Sequence, residues 1–432
     1  MNRRRALVLG AGPAGLSFAY AYGSRATVIE KTSEVGGLSR SLEIGEGVFD
    51  IGGHSFHTPH RSVQDLVSQL MGDSLHEQAR DARVWFEGEL IPYPFQHHYQ
   101  CLQNAGVVES CRDHKPDPSQ VSASTNFEAW IQNRFGSGIS HHFMLPYNRK
   151  LWARDLKSMT CDWVGQRVAT DRSIESSSNN TLTERRPLLS ESRVAYPLEG
   201  GFGAIFKRLA ERCEHIALNQ DIVSIDVNER IALSRCGRTW QWDVLVSTVP
   251  LPFLLDMITT CPEELRRLAH NLEAVSLKIL MLLVRAPTNP VPQRVYVADH
   301  RVPPHKIAFN HTSSPELMRR THHAIICEVS YSSMKPALPD GDIIEQTTNW
   351  LVESGLVSAH GAVVTARVID VPLGYPVNTH AKANTVSTVK SYLKHYDVHT
   401  IGRFGAWDYA NSDECIRQGL ELAHALSTET VD

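Results

Sequence analysis

The stretch that most constrains this chain is Gly10-Ala11-Gly12-Pro13-Ala14-Gly15, between the apolar run Ala6–Leu9 and a helix-like run over Pro13–Tyr22. Four apolar residues bounded by glycine predict a buried parallel strand. Each glycine then has its own use. Gly10 permits the tight turn, Gly12 lets a backbone approach a pyrophosphate, and Gly15 lets the helix pack on the strand. Phosphates placed there meet the unpaired N–H groups and the positive dipole end of the helix that Pro13 and Ala14 open. The next apolar run ends at Glu30, twenty residues after Gly10. A carboxylate at that spacing accepts hydrogen bonds from a ribose 2′-hydroxyl and disfavours a 2′-phosphate. The expectation is a strand–turn–helix–strand unit that binds a dinucleotide other than NADP.

The continuation separates FAD from NAD. A second glycine turn, Glu34-Val35-Gly36-Gly37-Leu38-Ser39-Arg40, follows Glu30 and Lys31 closely and offers further N–H groups and an arginine to the same pyrophosphate. Phe49-Asp50-Ile51-Gly52-Gly53-His54 comes next. An NAD domain has no need of these extra turns; a cofactor with an extended body does, so FAD is favoured. At 432 residues the chain is long enough for two or three domains. Its net charge of −4 argues against a nucleic-acid partner. The eight cysteines include no Cys-x-x-Cys pair and no zinc-finger spacing, so reduced thiols, a cytoplasmic location and no metal are expected. Three arginines near the start are followed by only four apolar residues, too few for a secretion signal. The apolar run at 277–284 carries Lys278 and falls far short of the roughly 20 residues of a membrane span, so no membrane partner is expected.

Along the chain, the spacing predicts an amphipathic helix over 62–71 and a surface loop over 103–124. A mostly helical stretch over 127–152 is broken near Gly136, Gly138 and Pro146. A mobile Ser/Asn-rich loop over 172–193 is a candidate lid. Then follow a helix over 202–213, a strand over 244–249, and strand candidates at 277–284, 324–331 and 363–371 with a helix over 342–356 among them. A helix over 387–395, a strand over 399–403 and a helix over 415–426 close the chain, the last two returning to the first domain.

Read together, GAGPAGL…VIEKTSEVGGLSRS…FDIGGHSFHT, LIPYPFQHH (90–98), HFMLPYNRKLWA (142–153), MTCDWVGQRVA (159–169), YPLEGGFGAIFKRLA (196–210), CEVSYSSMKP (327–336), VIDVPLGYPV (368–377) and GRFGAWDYANSD (402–413) resemble the flavin-dependent UDP-galactopyranose mutases, best the eukaryotic type. Protoporphyrinogen and amine oxidases share the first and last segments but not the middle ones. The resemblance spans nearly the whole chain. It implies an α/β fold: a Rossmann-like FAD-binding domain (1–60, 196–275 and 399–432), a helical insertion (61–195) and a mixed or antiparallel sheet domain (276–398). It implies an isomerase that interconverts pyranose and furanose forms of a nucleotide sugar, UDP-galactose-like, through a covalent adduct on reduced flavin, with NAD(P)H as a possible reductant. The alternative is an FAD-dependent oxidoreductase of the amine or protoporphyrinogen oxidase type, which works by net hydride transfer.

Residue by residue, Arg167 matches a family arginine on the diphosphate and sugar, where a guanidinium fork suits phosphate oxygens. Tyr296, Tyr375 and Tyr409 match tyrosines whose hydroxyls meet the phosphates. Tyr93, Gln96, Phe143, Asn148, Trp152 and Trp163 match the nucleobase and substrate side, though ordinary helical packing suits them too. Gly53 and His54 match the turn beside the flavin, Arg403 a residue beside its ring, and Asn411 and Ser412 the start of the last helix near its tail. Gly10, Gly12, Pro13, Ala14, Gly15, Glu30, Lys31, Gly37, Leu38 and Ser39 complete the cofactor set. One departure stands out. The family's second diphosphate arginine falls here in VPPHKIAFN, on His305 or Lys306, and a lysine is a point donor without the bidentate fork.

Overall fold

The computed structural model describes residues 4–112, 117–164, 168, 192–286 and 289–428. Five parallel strands form one sheet in the order Val398–Thr400, Val244–Ser247, Ala6–Leu9, Ala26–Ile29, Ile216–Ala217. The sheet thus draws on the start, middle and end of the chain. The Ala6–Leu9 and Val244–Ser247 strands are buried throughout, as a parallel sheet covered on both faces requires. The Pro13–Tyr22 helix packs on it, and the closing helix Ser412–Thr428 packs on that helix in turn. This crossing is close because Gly419 has no side chain: a Cβ there would meet the Ala14 carbonyl oxygen at 2.5 Å.

A second, seven-stranded sheet runs Val363–Pro376, Ala274–Arg285, His322–Tyr331, Lys306–Phe309, Arg294–Val297, Ala82–Phe86, Glu89–Pro92. It is antiparallel apart from the Arg294–Val297 and Ala82–Phe86 pair. Helices Phe127–Ile139 and Leu145–Trp152, joined by a π-helical turn over Ser140–Met144, pack with it around one apolar core. The architecture is therefore α/β, with a Rossmann-like parallel domain and a separate mixed sheet.

Several sequence expectations are corrected. The 61–195 stretch is not only helical, since it supplies Ala82–Phe86 and Glu89–Pro92 to the large sheet and pairs Leu75–Ala79 with Arg193–Pro197. The missed signal is Glu87-Gly88, whose φ values of 46° and 90° make the two-residue turn that suits a tight hairpin. Within the expected loop at 103–124 lie helices Ala105–Arg112 and Pro118–Ser122. Asn104 caps the first through Gly106 N–H, and Asp117 caps the second, where Pro118 sits at the tolerated first position. Of the candidate lid, 172–191 lies outside the described residues, and Arg193 opens a strand. Finally, the predicted strand at 399–403 stops at Thr400. Gly402, at φ +80°, turns the chain into the short helix Gly402–Gly405 that carries Arg403. All eight thiols are free. Among the described residues no helix is long and apolar enough to cross a membrane, and no three metal-ligating side chains converge.

Candidate active site

The glycine turn builds the floor of the site. Gly10 sits at φ +103°, a region that favours glycine, with Thr248 Oγ1 only 2.1 Å from where its Cβ would be. A Cβ on Gly15 would lie 2.1 Å from the Gly10 carbonyl oxygen, so the first helical turn rests directly on the turn before it. Gly12 differs, because nothing lies within 4 Å of the place its Cβ would take. That open space belongs to a cavity of about 1480 Å³. Single-ligand pockets run to roughly 300–1,000 Å³, so the cavity has room for a dinucleotide and a second ligand. Glu30 borders it; one carboxylate oxygen accepts from Ala11 N–H (2.9 Å) and the other from Thr32 N–H (2.9 Å) and Oγ1 (2.8 Å). The second glycine turn approaches the first, as a Cβ on Gly37 would be 3.4 Å from Gly12 Cα.

Lining this same cavity are Gly10, Gly12, Pro13, Ala14, Glu30, Lys31, Gly37, Leu38 and Ser39 at one end. Gly53, His54, Arg403, Asn411 and Ser412 lie along it. Tyr93, Gln96, Phe143, Asn148, Trp152, Trp163, Tyr296, His305, Lys306, Tyr375 and Tyr409 complete the lining. Gly15, in the first turn of the helix, faces the Gly10 carbonyl and Val8 rather than the cavity, and Arg167 lies outside the described residues. Asp50 positions the flavin-turn candidates. Fully buried, it accepts from Ser41 Oγ (2.6 Å), Tyr196 OH (2.7 Å) and Phe202 N–H (3.0 Å), which pins the end of the Gly47–Asp50 strand just before Gly52 and Gly53. His54 then stacks on Phe202 with ring centroids 4.9 Å apart. Its buried Nδ1 has no hydrogen-bond partner among the described residues.

At the far end the walls are aromatic. Phe143 stacks between Phe95 (4.8 Å) and Tyr147 (5.2 Å), and Tyr93 stacks on Tyr296 (4.6 Å). Tyr409 meets Trp152 and Tyr375 edge-on at 5.4 and 5.3 Å. Trp152 keeps a buried indole N–H with no partner among the described residues.

Between these ends lies a group the sequence reading missed. Glu328, 1% exposed, accepts from Lys306 Nζ (2.7 Å), Gly53 N–H (2.7 Å) and Tyr375 OH (3.0 Å), and His305 Nε2 lies 3.6 Å away. Burial pushes its carboxyl up, but the Lys306 charge, His305 and these hydrogen bonds outweigh it and hold the pKa at about 2. Arg80 Nη2 donates to Tyr296 OH at 3.2 Å, and Arg294 borders the cavity two residues before Tyr296. Burial alone would raise the Tyr296 phenol, yet Arg80, Arg294 and Lys306 together pull it down. The sequence carried two signals for these groups. Glu328 is a lone carboxylate inside an apolar run, and Arg294 alternates with Tyr296 in Arg-Val-Tyr-Val.

Burial, reinforced by the Lys306 charge, pushes both His54 and His305 down to about 3, with Glu328 opposing in each case. These values lie below the ordinary 6.5, so as pH falls through 6.5 the unfolded chain takes up protons that the fold refuses. This stabilisation is complete above pH 6.5 and shrinks toward pH 3. At pH 5 it is reduced by roughly 2 kcal/mol per histidine. Urea midpoints at pH 7.5 and pH 5 check this, and equal midpoints would show that neither histidine is held neutral.

A family model described as an NAD(P)-binding Rossmann-like domain matches residues 8–70. A coproporphyrinogen III oxidase of Mycobacterium tuberculosis is 22% identical over 305 residues, 66% of this chain and 67% of that one. Fold and family model thus define a class, a Rossmann-like dinucleotide-binding domain joined to a separate mixed sheet. Among solved structures, reduced UDP-galactopyranose mutase superposes with a TM-score of 0.87 at 24% identity, covering 99% of this chain and 95% of that one. Putrescine oxidase superposes at 0.71 with 14% identity, covering 99% of each.

Proposed function

We propose that the chain binds FAD in the Gly10–Gly15 cradle and, with the flavin reduced, interconverts the pyranose and furanose forms of a nucleoside-diphosphate sugar, UDP-galactose-like. The carrying observation is the second half of the cavity, where cations and tyrosine hydroxyls border an aromatic wall. That pairing suits a diphosphate joined to a nucleobase. The open space over Gly12, a His54 Nδ1 without a partner among the described residues and the neighbouring glycine turns fit an FAD. In this reading Pro13 sets the first helical turn and Ala14 presents its N–H to the pyrophosphate, Glu30 takes a ribose hydroxyl, and Lys31 and Gly37–Ser39 enclose the same end. Gly53, His54 and Arg403 flank the flavin ring, and Asn411 and Ser412 its tail. When bound and reduced, the flavin supplies the nucleophilic, redox-neutral chemistry that ring contraction requires.

The chain's own work is binding, orientation and exclusion of water. Tyr296, Tyr375 and Tyr409 donate to phosphate oxygens as the diphosphate leaves and returns, and Arg167 is assigned to the same anion. Burial, with Glu328 nearby, keeps the Tyr375 hydroxyl protonated; its one proton goes to Glu328 in the empty site and turns to a phosphate oxygen when the diphosphate is bound. Tyr93, Gln96, Phe143, Asn148, Trp152 and Trp163 take the base and sugar. We assign 1–60, 196–275 and 399–432 to cofactor binding, with the substrate cleft closed by the rest, in a cytoplasmic enzyme for which NAD(P)H is a reductant.

A second reading, an FAD-dependent oxidoreductase, draws on the relative named coproporphyrinogen III oxidase. Amine substrates are disfavoured, since Arg80, Arg294, Lys306 and Arg403 around one Glu328 repel an ammonium. Purified protein reduced anaerobically with dithionite and mixed with UDP-, GDP- and dTDP-hexoses separates the two. A furanose isomer formed only with reduced flavin, detected by chromatography and NMR, supports the mutase. Flavin reduction by another metabolite, with no sugar isomerised, supports the oxidoreductase.

A further inference from the structure

We infer that Arg294 is the guanidinium that grips the substrate diphosphate from the sheet side of the cleft, in the role expected of residue 305 or 306. The inference rests on the nucleotide-sugar reading above. Its basis is strand register. Arg294 and Tyr296 alternate with Val295 and Val297, both fully buried on the opposite face. Across the ladder Arg294 lies opposite Ala308, Tyr296 opposite Lys306, and Lys306 opposite Glu328. Cross-strand partners share a face, so these four side chains with chemistry stand together on the cavity side.

The cations around the cavity are not equivalent. Lys306 is matched by Glu328 at 2.7 Å. Arg403 donates to two backbone carbonyls, Ala410 O at 2.8 Å and Gly374 O at 3.1 Å. Arg80 donates to Tyr296 OH. Arg294 hydrogen-bonds Tyr296 but forms no ion pair with any carboxylate among the described residues; the acid that bears on it, Glu328, already holds Lys306. Its Nε lies 3.5 Å from where a Cβ on Gly53 would be, beside the turn that carries His54. An arginine does not shed its proton, so a half-buried guanidinium left without a counter-ion is costly until an anion arrives. Its planar fork offers two parallel N–H donors to two phosphate oxygens, which a lysine cannot do. With Tyr296 OH beside it, the pair forms a three-donor seat for a diphosphate.

UDP and uridine titrated into the FAD-loaded protein by calorimetry isolate the phosphate contribution. Wild type is expected to prefer UDP by about 100-fold. Arg294→Leu should weaken UDP by about 10- to 100-fold while leaving uridine within about 2-fold. The flavin absorbance spectrum verifies that the variant is folded. Should that variant lose its flavin, Arg294→Lys gives the same answer, with a smaller drop for UDP alone. An undiminished UDP preference in either variant overturns the assignment of Arg294. A wild-type protein that binds UDP no better than uridine overturns the nucleotide-sugar reading itself, and this assignment with it.

Discussion

Replacing Glu328 with leucine is expected to destabilise the protein by about 3–5 kcal/mol, the usual cost of leaving one partner of a buried ion pair alone. Lys306 would keep its charge beside an apolar side chain, and Gly53 N–H and Tyr375 OH would lose their acceptor. Glu328→Gln retains the shape and one acceptor but not the charge, and should cost less. Urea unfolding followed by circular dichroism measures both; a leucine variant within about 1 kcal/mol of wild type would sink the argument. The pH dependence gives a second check. The folded pKa of about 2 lies below the ordinary 4.5, so the stabilisation is complete above pH 4.5 and is lost as pH falls through 2. The gap between wild type and Glu328→Gln should therefore be flat near neutrality and close in acid. Gly53 precedes His54 in the turn assigned to the flavin, so the glutamine variant should also move the flavin absorbance maxima.

Gly12→Val is expected to fold normally and emerge without flavin, its affinity lowered by about 100-fold or more. Gly12 has φ −80° and ψ −179°, extended backbone that any residue adopts, and its Cβ position is open. The Cβ therefore meets no protein atom within 4 Å, and the side chain occupies the space assigned to the pyrophosphate. Gly15→Ala should behave oppositely. Its Cβ would lie 2.1 Å from a backbone oxygen and 3.2 Å from Val8 Cγ1, so the helix must move off the sheet even with no ligand bound. Thermal unfolding of the flavin-free proteins separates them, with Gly15→Ala melting well below wild type and Gly12→Val close to it. A yellow Gly12→Val protein with wild-type flavin content would refute the cradle.

These effects mark where the sequence was readable. The Gly10–Gly15 turn and Glu30 were legible because their requirements are local: a positive φ, a close helix–strand contact, a fixed spacing to the end of the next strand. The strands at 244–249, 277–284 and 324–331 were legible as apolar runs, although their ends moved by a few residues. The hairpin around Glu87-Gly88 was missed because its turn is short and only one of its two residues is glycine. Helix Ala105–Arg112 was missed because its apolar face is narrow, with Val107 and Cys111 its buried residues.

The chain's own order of residues thus determined that a dinucleotide cradle stands at its head and that strands of a second sheet follow, since backbone conformation and burial period act over a few residues. The charged heart of the cleft was decided only by tertiary structure. Gly53 and Glu328 are 275 residues apart and meet at 2.7 Å. Lys306 borders the cavity already bound to Glu328 because antiparallel register sets the two opposite each other. Arg294 shares their face because strand pairing fixes side-chain direction every second residue, across strands whose register no local sequence signal specifies.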